Sequence, residues 1–450
     1  MEKLLNYLIQ FLVASDDSAI IDSIGYTADE NLFEQYKVVI VPSRFFDDSF
    51  YGKRESLPAF PIDFIEDIPF LYGKPVVETE GKTLVVYADI IASSYFLLSR
   101  YEEWIRSDCR DEHGRFPGKE SFAYQANFIH RPIVDEYGKL LRKWLRQTGI
   151  NVPELPRQFN KIYLTHDVDS PFQYRTPRNL ARAFLTGNFK KALKIYNGNI
   201  ENDPFFTFPW LLEQNKKLQA ETIFFIKSAV KSCRFDKPQY NLNSKDIQYL
   251  FNIIEKAGAM IGLHCSYLSG ENPELIEKEK KKLERYSGAT IHYNRNHYLR
   301  AKEPQDMQYL INAGITDDFT MGFADVSGFR LGTCRAVKWI NVVTKEISNL
   351  TLHPLTIMEC TLDREQYMNL DYESALAYCQ QLIDQTILFN GDLNLLWHNT
   401  NVVKCANNWQ PMLYEQLLNY IIKSPLGDLG VLPTEKRHRR PFFLVKEKLQ

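Results

Sequence analysis

Two hydrophobic rhythms divide this chain. From about residue 160 onward, short apolar runs centred on Leu164, Phe224, Ile261, Ile291, Thr316, Thr356 and Leu395 alternate with stretches whose apolar residues recur at helical spacing, among them Pro304 to Ala313 and Tyr372 to Phe389. Short apolar runs bounded by turn residues suit buried strands, and their alternation with helical stretches predicts a parallel sheet covered by helices. The helix starting at Glu274 is the best punctuated, with Asn272 as a cap, Pro273 in the first turn and Gly288 as a stop. Its Glu/Lys-rich side reads as a solvated face.

Before residue 155 the rhythm is mixed. The runs KVVIVP (Lys37 to Pro42) and TLVVY (Thr83 to Tyr87) predict strands, whereas Ser99 to Ile105 and Tyr137 to Thr148 predict helices. Leu4, Leu8, Phe11 and Leu12 are spaced for a surface helix. SDCRDEHGRFPGKES carries the Gly, Pro and charged residues of an ordered loop or partner-facing surface. Pro153 and Pro156 then lead into a new pattern, which sets a boundary between a mixed α/β accessory domain, residues 1–155, and a second domain, residues 156–450. Phe-Leu-Leu-Ser-Arg-Tyr-Glu-Glu-Trp, residues 96–104, has the apolar and aromatic groups to anchor an interface helix that lets the first domain shape the cleft of the second.

Composition narrows the function. A chain of 450 residues exceeds what one core usually supports. Its charges nearly cancel at a formal net of −2 and lie interspersed, so the basic field that drives nucleic-acid binding is missing. No window approaches the ~20 apolar residues of a transmembrane helix. Seven cysteines without a CxxC pair point to a reducing compartment, and cytoplasmic, bacterial residence is the expectation. Aromatic residues make up 13% of the chain and offer platforms for flat ligand faces such as sugar rings. The oligomeric state is not legible.

The chemistry gathers at the ends of the predicted strands. Thr165-His166-Asp167-Val168-Asp169 closes the first, and an extended backbone puts Asp167 and Asp169 on one side with His166 and Val168 on the other. His264 ends the strand around Ile261, and His297 follows the strand around Ile291, with His292 five residues before it. Arg330 sits between Gly328 and Gly332 in a close-turning loop, and His398 closes Leu395-Leu396-Trp397. Carboxylates and imidazoles at the carboxyl ends of parallel strands can hold one divalent metal beside a free carboxylate, the apparatus of metal-assisted hydrolysis. Tyr267, Asp318 and Trp397 are candidates for substrate contact, while His353 and Glu359 could touch substrate or support a ligand.

Taken in order, THDVD, IGLHCSY, NRNHYLR, GFRLGTCR and LLWHN resemble the polysaccharide deacetylases, the NodB-like carbohydrate esterases, over roughly residues 160 to 410, and in particular a bacterial subgroup with an extra N-terminal domain. The resemblance implies an irregular seven-stranded (β/α) barrel, a divalent metal, zinc above all, and removal of acetyl from an N-acetylated sugar or glycan precursor. It casts Asp167 as general base, Asp169 and His264 as metal ligands, Arg330 as the arginine orienting the base, and His398 as general acid. The family's second motif normally supplies another histidine four residues after the first, but position 268 is Leu here. His297 is the expected replacement and His292 the alternative. That departure keeps open a catalytically inactive carbohydrate-binding protein on a deacetylase scaffold, and hydrolysis of a different C–N amide bond is open as well.

Overall fold

The computed structural model describes residues 1–185, 187 and 189–424, with the side chains of 177 and 178 left aside; the last part of the predicted second domain, 425–450, lies outside the described residues. Six strands belong to the N-terminal part: β1 (Ile24–Tyr26), β2 (Val38–Ile40), β3 (Asp63–Ile65), β4 (Ile68–Phe70), β5 (Gly73–Glu80) and β6 (Thr83–Ala88). Four of them form a sheet in the order β1-β2-β6-β5, and β3 pairs with β4 as a hairpin. The two predicted apolar runs are β2 and β6, the pair at the centre of that sheet. The first helix, Glu2–Val13, is the expected surface helix: Glu2, Lys3 and Asn6 are exposed, while Leu4, Leu8 and Leu12 are buried where it packs on helix Ile133–Gln147.

The second sheet contains β7 (Lys161–Val168), β8 (Glu221–Lys227), β9 (Met260–Cys265), β10 (Tyr293–Asn296), β11 (Asp317–Asp318), β12 (Val337–Ile340), β13 (Ile347–Leu352), β14 (Ile357–Met358) and β15 (Asp392–Leu396). Their order is β12-β13-β11-β10-β9-β8-β7-β15-β14, with every neighbouring pair parallel except β12 with β13. The predicted seven strands are all present, and the hairpin β12–β13, whose polar residues hid it in the sequence, brings the total to nine. The sheet curls into an irregular half-barrel. Tyr163 on β7 and Phe319 just beyond β11 have ring centroids 5.2 Å apart, although the four strand spacings between them would span ~19 Å in a flat sheet.

A two-residue period runs through the curl. On β7, Tyr163, Thr165 and Asp167 face the interior, while Leu164, His166 and Val168 face the covering helices. On β8, Ile223 and Phe225 face in and Phe224 and Ile226 face out. On β15 the inward face continues to His398, and Leu393, Leu395 and Trp397 join the outer core. His166 therefore belongs to packing: its Nδ1 lies 2.8 Å from the Trp397 carbonyl and its Nε2 is 3.0 Å from Asn215 Nδ2. Helix Glu274–Ser287 stops at Gly288 as expected, but the Asn272 side chain bonds back to Leu268 O rather than capping it.

The N-terminal part and the half-barrel share one hydrophobic core and a set of buried polar clamps. Arg330 makes a paired contact with Glu103, Nε to Oε1 at 2.8 Å and Nη2 to Oε2 at 2.7 Å. Arg100 pairs with Glu303, and all four side chains are buried. The predicted anchor segment 96–104 thus supplies half of this cluster. Gly328 has φ 149° and a Cβ there would lie 2.5 Å from Ile129 O, which is why the Arg330 loop needs glycine to seat against the N-terminal part.

Two outcomes follow from this packing. Glu103→Gln leaves two buried guanidinium groups without their shared carboxylate and should cost about 3–5 kcal/mol in denaturant unfolding. Burial drives the His166 imidazole down to about 4, so the unfolded chain binds the extra proton first. Stability should fall as pH drops from about 6.5 to about 4, by roughly 3 kcal/mol more in the native chain than in His166→Gln.

Candidate metal centre and acid–base pair

Three donor atoms converge where β7, β9 and β10 end. His264, the inward residue near the end of β9, lies with Nδ1 2.8 Å from Arg295 O, so its N–H is spent on that carbonyl and Nε2 presents a lone pair. His297 follows β10, and its Nδ1 lies 3.3 Å from Asp236 Oδ1. Asp169 Oδ1 is 3.4 Å from His264 Nε2 and 3.2 Å from His297 Nε2. Both Asp169 Oδ1 and His264 Nε2 are buried without a hydrogen-bond partner. Lone pairs stranded this way, with each imidazole tied at its far nitrogen, are the donor set and outer support that a divalent cation requires. Burial opposes charge on His297, yet the carboxylates of Asp169 and Asp236 outweigh it and hold the imidazole above its ordinary range. The same negative field would favour a cation bound among these atoms.

The two strands make this arrangement by register. His264 pairs with Arg295, so the residue two beyond Arg295 returns to the same interior face. Leu268 occupies a short 3₁₀ turn, Leu268–Gly270. His292 is exposed and precedes β10, at the opposite end of the strand from His297. After His297 the backbone enters the left-handed region at Tyr298 (φ 63°) and Leu299 (φ 56°), an unfavourable conformation for non-glycine residues that turns the chain sharply beside the imidazole.

Asp167 stands next to the cluster. Its Oδ1 accepts from Arg295 Nη1 at 3.0 Å, and its Oδ2 lies 3.7 Å from His264 Nε2. The orienting position expected of Arg330 is therefore taken by Arg295; Arg330 is committed to Glu103 and the Gly322 carbonyl. On the far side, His398 Nδ1 is 2.6 Å from Glu359 Oε1, which also accepts from the His398 amide and from Asn401 Nδ2. Burial works against a charged His398, but Glu359 holds it well above the usual imidazole range. Its Nε2 points inward, 3.8 Å from Asp169 Oδ2.

These groups line a cavity of about 180 Å³ together with Lys227, Lys237, Arg364, Tyr367 and Arg115. Arg115 comes from the N-terminal loop, held by Asp111, and bonds the Tyr298 carbonyl at 3.2 Å. The three expected substrate contacts lie elsewhere. Asp318 is buried and bonded by Asn294 and Thr320, Trp397 packs outward on Tyr414, and Tyr267 sits behind Phe235 and Tyr298 with its carbonyl on Arg300. Asp318 and Trp397 fail by parity, each one residue away from an inward position. Arg295 and Lys227 were missed in the sequence although parity marks both, two residues before His297 and two after Phe225. Lys227 Nζ lies 3.6 Å from Asp169 Oδ1.

A family model described as a family of unknown function (DUF7033) matches residues 1–150. No curated protein matches the chain. Among solved structures it is distantly similar to a Mycobacterium smegmatis protein provisionally called a polysaccharide deacetylase, at 13% identity and TM-score 0.38, covering 61% of this chain and 87% of that one. The Puue allantoinase gives 12% identity and TM-score 0.39, with 60% and 86% covered. A CE4 family pseudoenzyme from Bacillus anthracis gives 12% identity and TM-score 0.31, with 59% of this chain and 60% of that chain covered. The cluster of Asp169, His264 and His297 is of a kind consistent with divalent-metal coordination, and no helix among the described residues is long and apolar enough to cross a membrane.

Metal content checks the donor set directly. The purified protein should bind about one divalent ion, and His264→Ala and His297→Ala should each abolish stoichiometric binding, whereas His292→Ala should leave it unchanged in metal analysis and calorimetric titration.

Proposed function

We propose that the chain is a metal-dependent deacetylase that hydrolyses the acetamide of an N-acetylated sugar or glycan precursor, with zinc as the favoured ion. The observation that carries this reading is the side-by-side placement of a buried, partly unsatisfied Asp/His/His donor set and a separate carboxylate, Asp167, clamped by a guanidinium. Asp169, His264 and His297 would hold the ion, which when bound lowers the pKa of water and polarises a carbonyl. Asp167 takes the proton of the attacking water at its free Oδ2, while Arg295 keeps Oδ1 occupied and the carboxylate aimed. His398 carries a proton on Nε2 toward the departing sugar nitrogen, and Glu359 on Nδ1 keeps the ring oriented and charged. Amide hydrolysis needs this acid because an amine leaves poorly unless protonated. Residues 1–155 act as an accessory domain, and Arg115 is the contact that supports a part for it in shaping the cleft.

One observation favours a second reading. Lys227 lies beside Asp169 Oδ1 and supplies a counter-charge of its own, as it would in a catalytically inactive carbohydrate-binding protein that needs no metal. Metal stoichiometry separates the two.

Asp167→Asn should retain metal and fold yet lose about 100- to 10,000-fold in acetate release from an N-acetylated oligosaccharide; a loss well under about tenfold would remove Asp167 from the base role. Asp169→Asn should differ in kind, by losing metal. His398→Ala should keep metal and be damaged most on the amide, much less on an activated acetyl ester whose leaving group needs no proton. Equal damage on both substrates would count against His398 as the acid.

A further inference from the structure

Between β7 and β8 the chain carries a helical hairpin that the reaction does not use, helix Pro177–Leu185 followed by helix Phe189–Asn197. In a chain whose charges nearly cancel, residues 171–200 contain six Arg and Lys and no Asp or Glu. Leu185 is 84% exposed and Phe184 67%. With Leu180, Phe189 and Tyr196 they form one open apolar face, and Phe184 packs edge-on against Phe189 at 5.4 Å. Arg182, Lys190, Lys191 and Lys194 are exposed around it, and among the described residues no carboxylate pairs with them. The base of the hairpin is fixed. Arg175 bonds both Asp246 oxygens and the carbonyls of Ile195 and Gly198, and Asp203 accepts from the amides of Gln173 and Tyr174.

We propose that this hairpin is a docking surface for an anionic lipid bilayer. An exposed Phe–Leu tip belongs in an apolar phase, and a contiguous apolar patch on an otherwise soluble surface marks an interaction site. Basic side chains around such a patch are the composition of a helix that lies in the interface of a negatively charged membrane, its apolar residues among the acyl chains and its cations on the headgroups. Charge selects lipid over a second copy of this chain, since pairing the face with itself would stack cations on cations. The hairpin springs from the end of β7 that bears Asp167 and Asp169, so docking brings the cavity's side of the molecule to the bilayer. That the sugar substrate is itself carried by a lipid rests on the function proposed above; the docking surface does not.

The test uses the full chain and extruded vesicles of phosphatidylcholine alone or mixed in equal parts with phosphatidylglycerol. Cosedimentation should occur with the mixed vesicles and not with phosphatidylcholine, and should weaken as salt rises. Phe184→Ser/Leu185→Ser and Lys190→Glu/Lys191→Glu should each lower partitioning by about tenfold or more, with metal content and acetate release in solution unchanged. Absence of binding to the mixed vesicles, or variants that bind as the native chain does, overturns the proposal. So does a native dimer that Phe184→Ser/Leu185→Ser converts to monomer without any vesicle binding, which would assign the face to a second copy. Because metal content and acetate release are read alongside, failure of docking stays distinct from failure of the reaction.

Discussion

A guanidinium buried inside a curled sheet orders the rest of this molecule. Arg295 is fully buried, bonds the Phe319 carbonyl, Thr165 Oγ1 and Asp167 Oδ1, and lies 4.5 Å over the Phe225 ring. One side chain thereby joins four strands, and its charge is tolerable only because Asp167 faces it. Asp167 in turn has one carboxylate oxygen fixed by that guanidinium, 3.0 Å from Arg295 Nη1, which sets the direction of the other. Below Arg295 the interior is aromatic, with Tyr163, Phe225 and Phe319; above it the lining gains Asp167, Asp169, His264, His297 and His398, beside a smaller apolar group of Leu299, Met358 and Cys360. The guanidinium marks the level at which the half-barrel changes from core to site.

Much of this was legible because the period of a strand is rigid. The apolar runs at β7, β8, β9 and β15 announced themselves, and alternation along THDVD correctly set His166 apart from Asp167. The same rule applied to Leu396-Trp397-His398 would have turned Trp397 away from the cleft, and applied to NRNH would have put Arg295 beside the site. The strand β11 is two residues long and gives no periodic signal, which is how Asp318 came to be placed on the wrong face. The choice between Arg295 and Arg330 as the partner of Asp167 was beyond local pattern. It depends on Glu103, 227 residues away from Arg330 in sequence.

That distant pairing shows what the N-terminal part contributes. Glu103 meets Arg330, Arg100 meets Glu303, and Asp135 collects Thr333, the Cys334 amide and Arg335. Except for Glu303, which precedes β11, the half-barrel residues in these contacts lie on the loop after β11, where the N-terminal part supplies partners for Arg330 and Arg335. Farther along, Arg115 bonds the carbonyl of Tyr298, inside the strained turn that follows His297. The cleft is thus walled partly by a segment separate from the strands that bear its chemistry.

His264 on β9 and His297 just beyond the neighbouring β10 are 33 positions apart, rather than a local pair on one loop. An unfolded chain with two imidazoles a single turn apart can chelate an ion before any tertiary structure exists; this chain offers no such foothold. Its pair is assembled by the β9–β10 ladder, so an ion held there would bind the native state alone and return its binding free energy as resistance to unfolding. For a chain that held such an ion, scarcity of the metal in a growing cell would be read out as turnover of the polypeptide, and its abundance would track metal supply.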